Sequence, residues 1–210
     1  FEQKHLYAKH FEHPEIENAP RIFISELILE NFSDFLQKTI QDKINQMQLA
    51  MTKAIDELWD GRAEGLPIKT KEEALILASI VEKETGVAAE RERVAGVFIN
   101  RLKRGMPLQT DPTVIYAITK GKIQDNGKGP LGRRLLRKDL EINSPYNTYK
   151  NAGLPPTPIA NPGYAAIKAT LNPEQHDYIY FVADGTGGHA FAKTLAEHNA
   201  NVAKWRKIRN

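Results

Sequence analysis

The run Lys71-Glu72-Glu73-Ala74-Leu75-Ile76-Leu77-Ala78-Ser79-Ile80-Val81-Glu82-Lys83-Glu84 decides how the rest of the chain must be arranged. From Ala74 to Val81 it holds eight residues with no charge and one hydroxyl, Ser79. Wound into a helix, with successive side chains about 100° apart, such a run is apolar all round and must be enclosed on every side. A membrane span needs roughly 18 apolar residues, so this helix belongs in a protein core. It ends in Glu82, Lys83, Glu84 and Thr85 before Gly86, which sets charged groups at the rim of that core.

The neighbouring segments supply the enclosure. Upstream, Ser33 reads as an N-cap with Asp34 in the first turn. Leu36, Ile40, Ile44, Met47, Met51, Ile55 and Leu58 then recur every three or four residues. That spacing predicts one amphipathic helix of roughly 40 Å, long enough to brace a domain, with Gly61, Gly65 and Pro67 as its stop. Residues 1–32 read as an irregular N-terminal segment and 33–210 as the domain proper. Downstream, a third helix begins near Ala88, presents Val94, Val97, Phe98 and Leu102 on one face, and stops at Gly105. Asp111-Pro112 reads as an N-cap followed by proline at the first helical position, opening a short helix to Lys120. Residues 144–162, dense in Pro, Asn and Gly, read as a long ordered loop of the kind that carries function on a rigid scaffold. Asn161-Pro162-Gly163 opens another helix that Asn172-Pro173 closes. Residues 178–183 and 189–192 form a β-hairpin across the turn 184–188, and Thr194 with Glu197 caps the last helix. The fold class is α+β, mainly helical, with a small β-hairpin element.

Composition narrows the chemistry. The 210 residues are 41% hydrophobic and 26% charged, which suits a globular domain and excludes a disordered or fibrous one. There is no cysteine, so disulfides, thiolate metal sites and a cysteine nucleophile are all excluded. His5, His10 and His13 lack the spacing that puts two ligands on one helical face, so no metal is expected there. The net charge of +3 is unevenly spread: residues 101–150 hold eleven basic side chains against four acidic ones. An anionic partner suits that patch.

Three groups of residues are candidates for chemistry. A carboxylate at the end of a buried helix is desolvated, and desolvation keeps a carboxyl protonated, the state a general acid needs. Glu82, with Leu75, Ala78 and Ser79 behind it on its own face, is the candidate. The alternative is that Glu82 and Glu84 both belong to a solvated helix end. In residues 144–149, Tyr146 and Tyr149 flank Asn147 and Thr148, a set that can stack on sugar rings and hydrogen-bond them, or equally a turn pinned by packed tyrosines. Gln109 and Asp111 lie between helices, Asp111 reading as a cap. His189 and His198 read as packed or surface histidines. The glycines of residues 184–188 join two strands without a lysine and do not form a phosphate loop.

Several ordered motifs carry a family resemblance. They are Ala78 to Glu84, Val94 to Leu102, Leu108 to Tyr116, Tyr146-Asn147-Thr148-Tyr149, Gly153-Leu154-Pro155-Pro156, Asn161-Pro162-Gly163, and Tyr180 to Ala183 with His189, Phe191 and His198-Asn199. Over about Ile55 to Val202 the chain resembles the endolytic murein transglycosylases, the YceG-like family. The resemblance implies a lysozyme-like catalytic domain, with residues 1–32 a remnant of or replacement for a LysM-like module. It implies a bacterial enzyme held in the cell inner membrane by one N-terminal helix outside this chain, its catalytic domain in the periplasm. There it would cut nascent peptidoglycan strands internally, at the MurNAc-β-1,4-GlcNAc bond, and leave 1,6-anhydroMurNAc ends. The first glutamate of the Glu-Lys-Glu motif, Glu82, would be catalytic. Gln109, Asn147, Thr148 and Tyr149 would place the sugars, and Glu84 would support them. Glycan strands and cell-wall synthases would be its partners, with no cofactor, no metal and no nucleic acid. The basic patch would then face acidic stem peptides or anionic headgroups. The rival readings are a non-catalytic peptidoglycan-binding scaffold and a lysozyme-like muramidase, which would need a second carboxylate.

Overall fold

The computed structural model describes residues 21–122 and 130–209. The three N-terminal histidines and most of the glycine-rich stretch after Lys122 lie outside the described residues. The chain divides into two compact units, residues 1–50 and 51–210.

Helix α1 (Arg21–Trp59) is continuous through the cap candidate Ser33 and through Asp34, expected in its first turn. A serine and an aspartate inside a helix cost only a few tenths of a kcal/mol each, too little to set its start. In the first unit Phe32, Phe35, Leu36, Ile40, Ile44 and Met47 are exposed. In the second unit Ile55 is buried in the core, with Met51, Ala54, Leu58 and Trp59 packed against that core.

The second unit is built round α2 (Lys71–Glu84), whose residues Ala74 and Ile76 to Val81 are buried as its composition requires. Thr70 caps it by accepting from the Glu73 amide, and Glu73 in return accepts from the Lys69 amide at 2.6 Å. Helices α3 (Arg91–Lys103), α4 (Asp111–Thr119) and α5 (Tyr164–Leu171) pack against it. Phe98, Leu77, Ile80, Leu108, Ile167 and Leu171 are among the largest fully buried side chains. The single hydroxyl of the apolar run has a task in the core. Ser79 Oγ donates to Ile76 O and accepts the Ile159 amide at 2.9 Å, which ties the 144–162 loop to α2. Gly96 on α3 is obligatory, because a Cβ there would meet His176 Nε2 at 2.6 Å and Glu174 O at 2.7 Å.

Strands β1 (Tyr180–Ala183) and β2 (His189–Ala192) pair antiparallel, with Tyr180 opposite Ala192 and Ala183 opposite His189. Helix α6 (Leu195–Arg209) packs on this hairpin behind the Thr194–Glu197 capping box read from the sequence. Two 3-10 turns, Ala88–Glu90 before α3 and Arg137–Glu141 before the long loop, complete the unit. The result is a mainly helical α+β domain.

Candidate active site

The last turn of α2 carries two carboxylates two residues apart, which a helix directs about 200° from one another. They end in different surroundings. Glu82 Oε2 accepts the Gly163 amide at 3.1 Å, and Gly163 is the N-cap residue of α5. Glu82 therefore joins Ser79 in holding the 144–162 loop and the start of α5 on one side of α2.

Glu84 points to the other side. Its Oε2 accepts from Thr110 Oγ1 at 2.7 Å. Burial pushes its carboxyl above the ordinary glutamate value, the Thr110 bond opposes this, Asp111 adds to it, and His189 and Arg101 oppose it. Glu84 is thus the desolvated acid that the sequence argument sought at Glu82. The sequence carries a signal in side-chain size: three, four and seven residues behind Glu84 stand Val81, Ile80 and Leu77, whereas the smaller Ser79 and Ala78, equally buried, and the half-buried Leu75 stand behind Glu82.

A hydroxyl and backbone network fixes the wall opposite Glu84. The Gln109 amide donates to Thr148 O at 3.1 Å and the Thr110 amide to Thr148 Oγ1 at 3.2 Å. Thr113 Oγ1 donates to Thr110 O and lies 2.8 Å from Thr148 Oγ1, which leaves Thr148 as the donor of that pair. Asn147 is fully buried; its Nδ2 donates to Leu140 O and Ile142 O, and its Oδ1 accepts the Tyr149 amide. Asn147 and Thr148 are thus both buried and already hold partners within the wall.

Gln109 and Tyr149 adjoin this network on either side of Thr148. Gln109 is exposed and adopts φ 51°, a left-handed conformation that a non-glycine residue holds only when its surroundings impose it. Arg101 helps to impose it. This buried guanidinium donates to Ile179 O at 2.7 Å, Leu108 O at 2.8 Å, Pro107 O at 3.1 Å and Gln109 Oε1 at 3.4 Å. Tyr149 donates its hydroxyl to Asp111 Oδ1 at 2.6 Å, and burial followed by that bond raises its pKa, so the phenol stays neutral. Thr110, not Asp111, is the N-cap residue of α4, and Asp111 is free to hold Tyr149 because it begins the helix. Tyr146 is turned elsewhere, against Tyr116 and Thr157.

Sequence reasoning missed Thr110, Arg101 and a further pair. His189 Nδ1 lies 2.7 Å from Glu90 Oε2, and the His189 amide donates to Glu90 Oε1 at 3.0 Å. Contacts between residues 99 apart leave no local pattern to read. Among the described residues no group of His, Asp or Glu is arranged to hold a metal ion.

A desolvated acid walled by amide, hydroxyl and phenol donors suits proton transfer to a polar, uncharged substrate. An "Endolytic murein transglycosylase" of Bacillus subtilis is 51% identical over 136 residues, covering 65% of this chain and 35% of that protein. One of the same description from Streptococcus pneumoniae strain D39 is 38% identical over 173 residues, covering 79% and 29%. The chain thus spans about a third of the length of the curated relatives it matches. A crystal structure of a yceG-like protein from Listeria monocytogenes superposes with a TM-score of 0.61 at 39% identity, covering 78% of this chain and 47% of that one. The family model described as YceG-like matches residues 30–204, taking in α2, the Glu84 wall and the hairpin in one alignment, and the chain belongs to the YceG-like family.

Proposed function

We propose that this chain carries the catalytic domain of an endolytic lytic transglycosylase, with Glu84 as its acid. Family membership and relatives described as endolytic murein transglycosylases support the reaction class. The observation that carries the assignment within the chain is the Glu84 carboxyl, kept above its ordinary pKa by burial and aligned by Thr110.

Cleaving the MurNAc-β-1,4-GlcNAc bond requires a proton on the leaving oxygen while positive charge develops at the anomeric carbon. Protonated Glu84 supplies that proton. The muramoyl C6 hydroxyl then attacks the anomeric carbon of its own sugar, an intramolecular step with a high effective concentration, and gives up its proton to the Glu84 carboxylate, which restores the acid and leaves a 1,6-anhydro end. Water is not the nucleophile, so no carboxylate is needed to activate it. Gln109 and Tyr149 offer hydrogen bonds to the N-acetyl sugars, while Asn147 and Thr148 hold the wall that presents them. Glu82 fixes the α5 entrance.

In the whole protein this domain stands on the periplasmic side of the inner membrane, on an N-terminal anchor, and works beside the cell-wall synthases. No helix among the described residues is long and apolar enough to cross a membrane. Mass spectrometry of the products from purified peptidoglycan tests the reading. Anhydromuramoyl ends support it, whereas reducing muramic ends would mean hydrolysis, and intact strands would mean a binding module.

A further inference from the structure

Arg133, Arg134, Arg137 and Lys138 crowd into the residues 133–138, and all of them are exposed. The acids of the same turn are already engaged. Asp139 takes Arg133 through two hydrogen bonds, at 2.7 and 2.9 Å, and its Oδ2 also accepts the Leu136 amide at 2.7 Å. Glu141 pairs with Lys150 at 3.0 Å. Arg134, Arg137 and Lys138 are left without an ion-pair partner among the described residues, on either side in the chain of Leu136, which is 46% exposed. Asp139 thus closes the turn but does not neutralise it. Like charges are held together there at an electrostatic cost that an anionic ligand would offset.

Direct contacts join this turn to the wall beside Glu84. Asn147 Nδ2 donates to Leu140 O at 2.8 Å and to Ile142 O at 2.9 Å. The next residue, Thr148, accepts the Thr110 amide on its Oγ1, and Thr110 Oγ1 donates to Glu84 Oε2 at 2.7 Å. A further cation, Lys120, stands 4.8 Å over the ring of Tyr146 on the same loop. Every step from the carboxyl of Glu84 to the turn is therefore a hydrogen bond or a single residue of chain. An extended peptide of five residues spans about 17 Å. A peptide carried on the lactyl group of a muramoyl sugar at Glu84 is long enough to cover those steps.

We propose that Arg134, Arg137 and Lys138 form a subsite for the carboxylates of the stem peptide on the muramoyl sugar, with Leu136 receiving its apolar side chains. This rests on the reading of the chain as a transglycosylase domain and names what the site takes besides the sugars. Guanidinium groups suit the task because they meet a carboxylate through paired hydrogen bonds. A membrane surface suits the turn less well. Glu141, whose side chain is 75% exposed, would be pressed against the same anionic headgroups.

The test measures kcat/KM of purified full-length protein on three substrates: strands that carry their stem peptides, strands stripped of them by an amidase, and strands whose stem carboxylates have been converted to amides. We expect the carboxylate-bearing strands to be preferred by about tenfold or more, with the preference shrinking as salt rises. Arg134→Ser, Arg137→Ser and Lys138→Ser combined should remove the preference at unchanged melting temperature, since Arg133 and Asp139 still close the turn. Equal kcat/KM on the three substrates, or a preference that survives the combined variant, overturns the proposal. Should that variant fold poorly, Arg137→Ser alone gives the second reading: a reduced preference supports the subsite and an unchanged one overturns it. Vesicles containing phosphatidylglycerol form a further arm. Vesicle binding that is lost in the combined variant while the strand preference persists would assign the turn to a membrane. Failure of the underlying reading shows separately, as reducing ends or as no cleavage. In the first case kcat/KM on the three substrates still decides the subsite, and in the second the protein's affinity for them decides it by the same ordering.

Discussion

Glu82 and Glu84 leave the same turn of α2 and serve opposite sides of it. On one side, Glu82 and Ser79 receive backbone amides from Gly163 and Ile159, and the contact is architectural. On the other, Glu84 receives one hydroxyl hydrogen bond among the described residues and sits near Asp111, Arg101 and His189, with its pKa raised by burial. Identical chemistry at the two positions is given different work by what stands opposite. A carboxylate that accepts a backbone amide anchors the chain segment that carries it. One that is desolvated and touched only by a side-chain hydroxyl remains available to a substrate.

The largest expected effect lies on the Glu84 side. Glu84→Gln should abolish anhydromuramoyl products, a loss of at least about a thousandfold in kcat, while the fold persists. It should also reveal the cost of burying an acid. Below the unfolded glutamate value both states are protonated and the wild-type residue carries no penalty. As pH rises past that value, only the unfolded state ionises freely, and the penalty grows until the raised folded pKa is passed. Glu84→Gln should therefore raise the melting temperature more at pH 8 than at pH 4. No such gain at pH 8 would mean that Glu84 is not desolvated.

Asn147→Ala probes the wall. It strips the partner from the Leu140 and Ile142 carbonyls and from the Tyr149 amide, and should lower stability by about 2–3 kcal/mol in denaturant unfolding. Turnover per folded molecule should fall less than in Glu84→Gln. A smaller change follows for Thr110→Val, which keeps volume and removes the hydroxyl. Losing a bond that lowers the Glu84 pKa lets that pKa rise further, so the alkaline limb of the rate profile should move to higher pH with a rate loss within about tenfold. Smallest is Glu82→Ala, expected to cost about 1 kcal/mol at the α5 entrance and to leave the pH profile in place. If Glu82→Ala instead moved the profile, the two faces would not be separate.

The fold was legible where the signals were dense and local. The apolar run of α2, the Thr194–Glu197 box and the hairpin around residues 184–188 stand where their patterns predict. Boundaries that depend on tertiary choice were not. Ser33 carries the chemistry of a cap but lies inside α1, and Asp111 stands one residue inside α4, where its side chain holds Tyr149 and Thr110 takes the N-cap position. Within the site, the Glu-Lys-Glu end of α2 was recognisable as its centre. Choosing between the two glutamates required weighing Leu77, Ile80 and Val81 against Leu75, Ala78 and Ser79. Burial of Asn147 and Thr148 was hidden because polar side chains that satisfy loop carbonyls look in sequence like side chains that await a ligand. Glu90 and His189 lie on separate elements, so only the packed structure brings them together.

The most direct measurement compares Glu82→Gln and Glu84→Gln on the same purified peptidoglycan, with anhydromuramoyl ends quantified by mass spectrometry and both variants confirmed as folded. The account expects products within a few-fold of wild type from Glu82→Gln and none from Glu84→Gln. Products from Glu84→Gln, or their disappearance with Glu82→Gln alone, would contradict it.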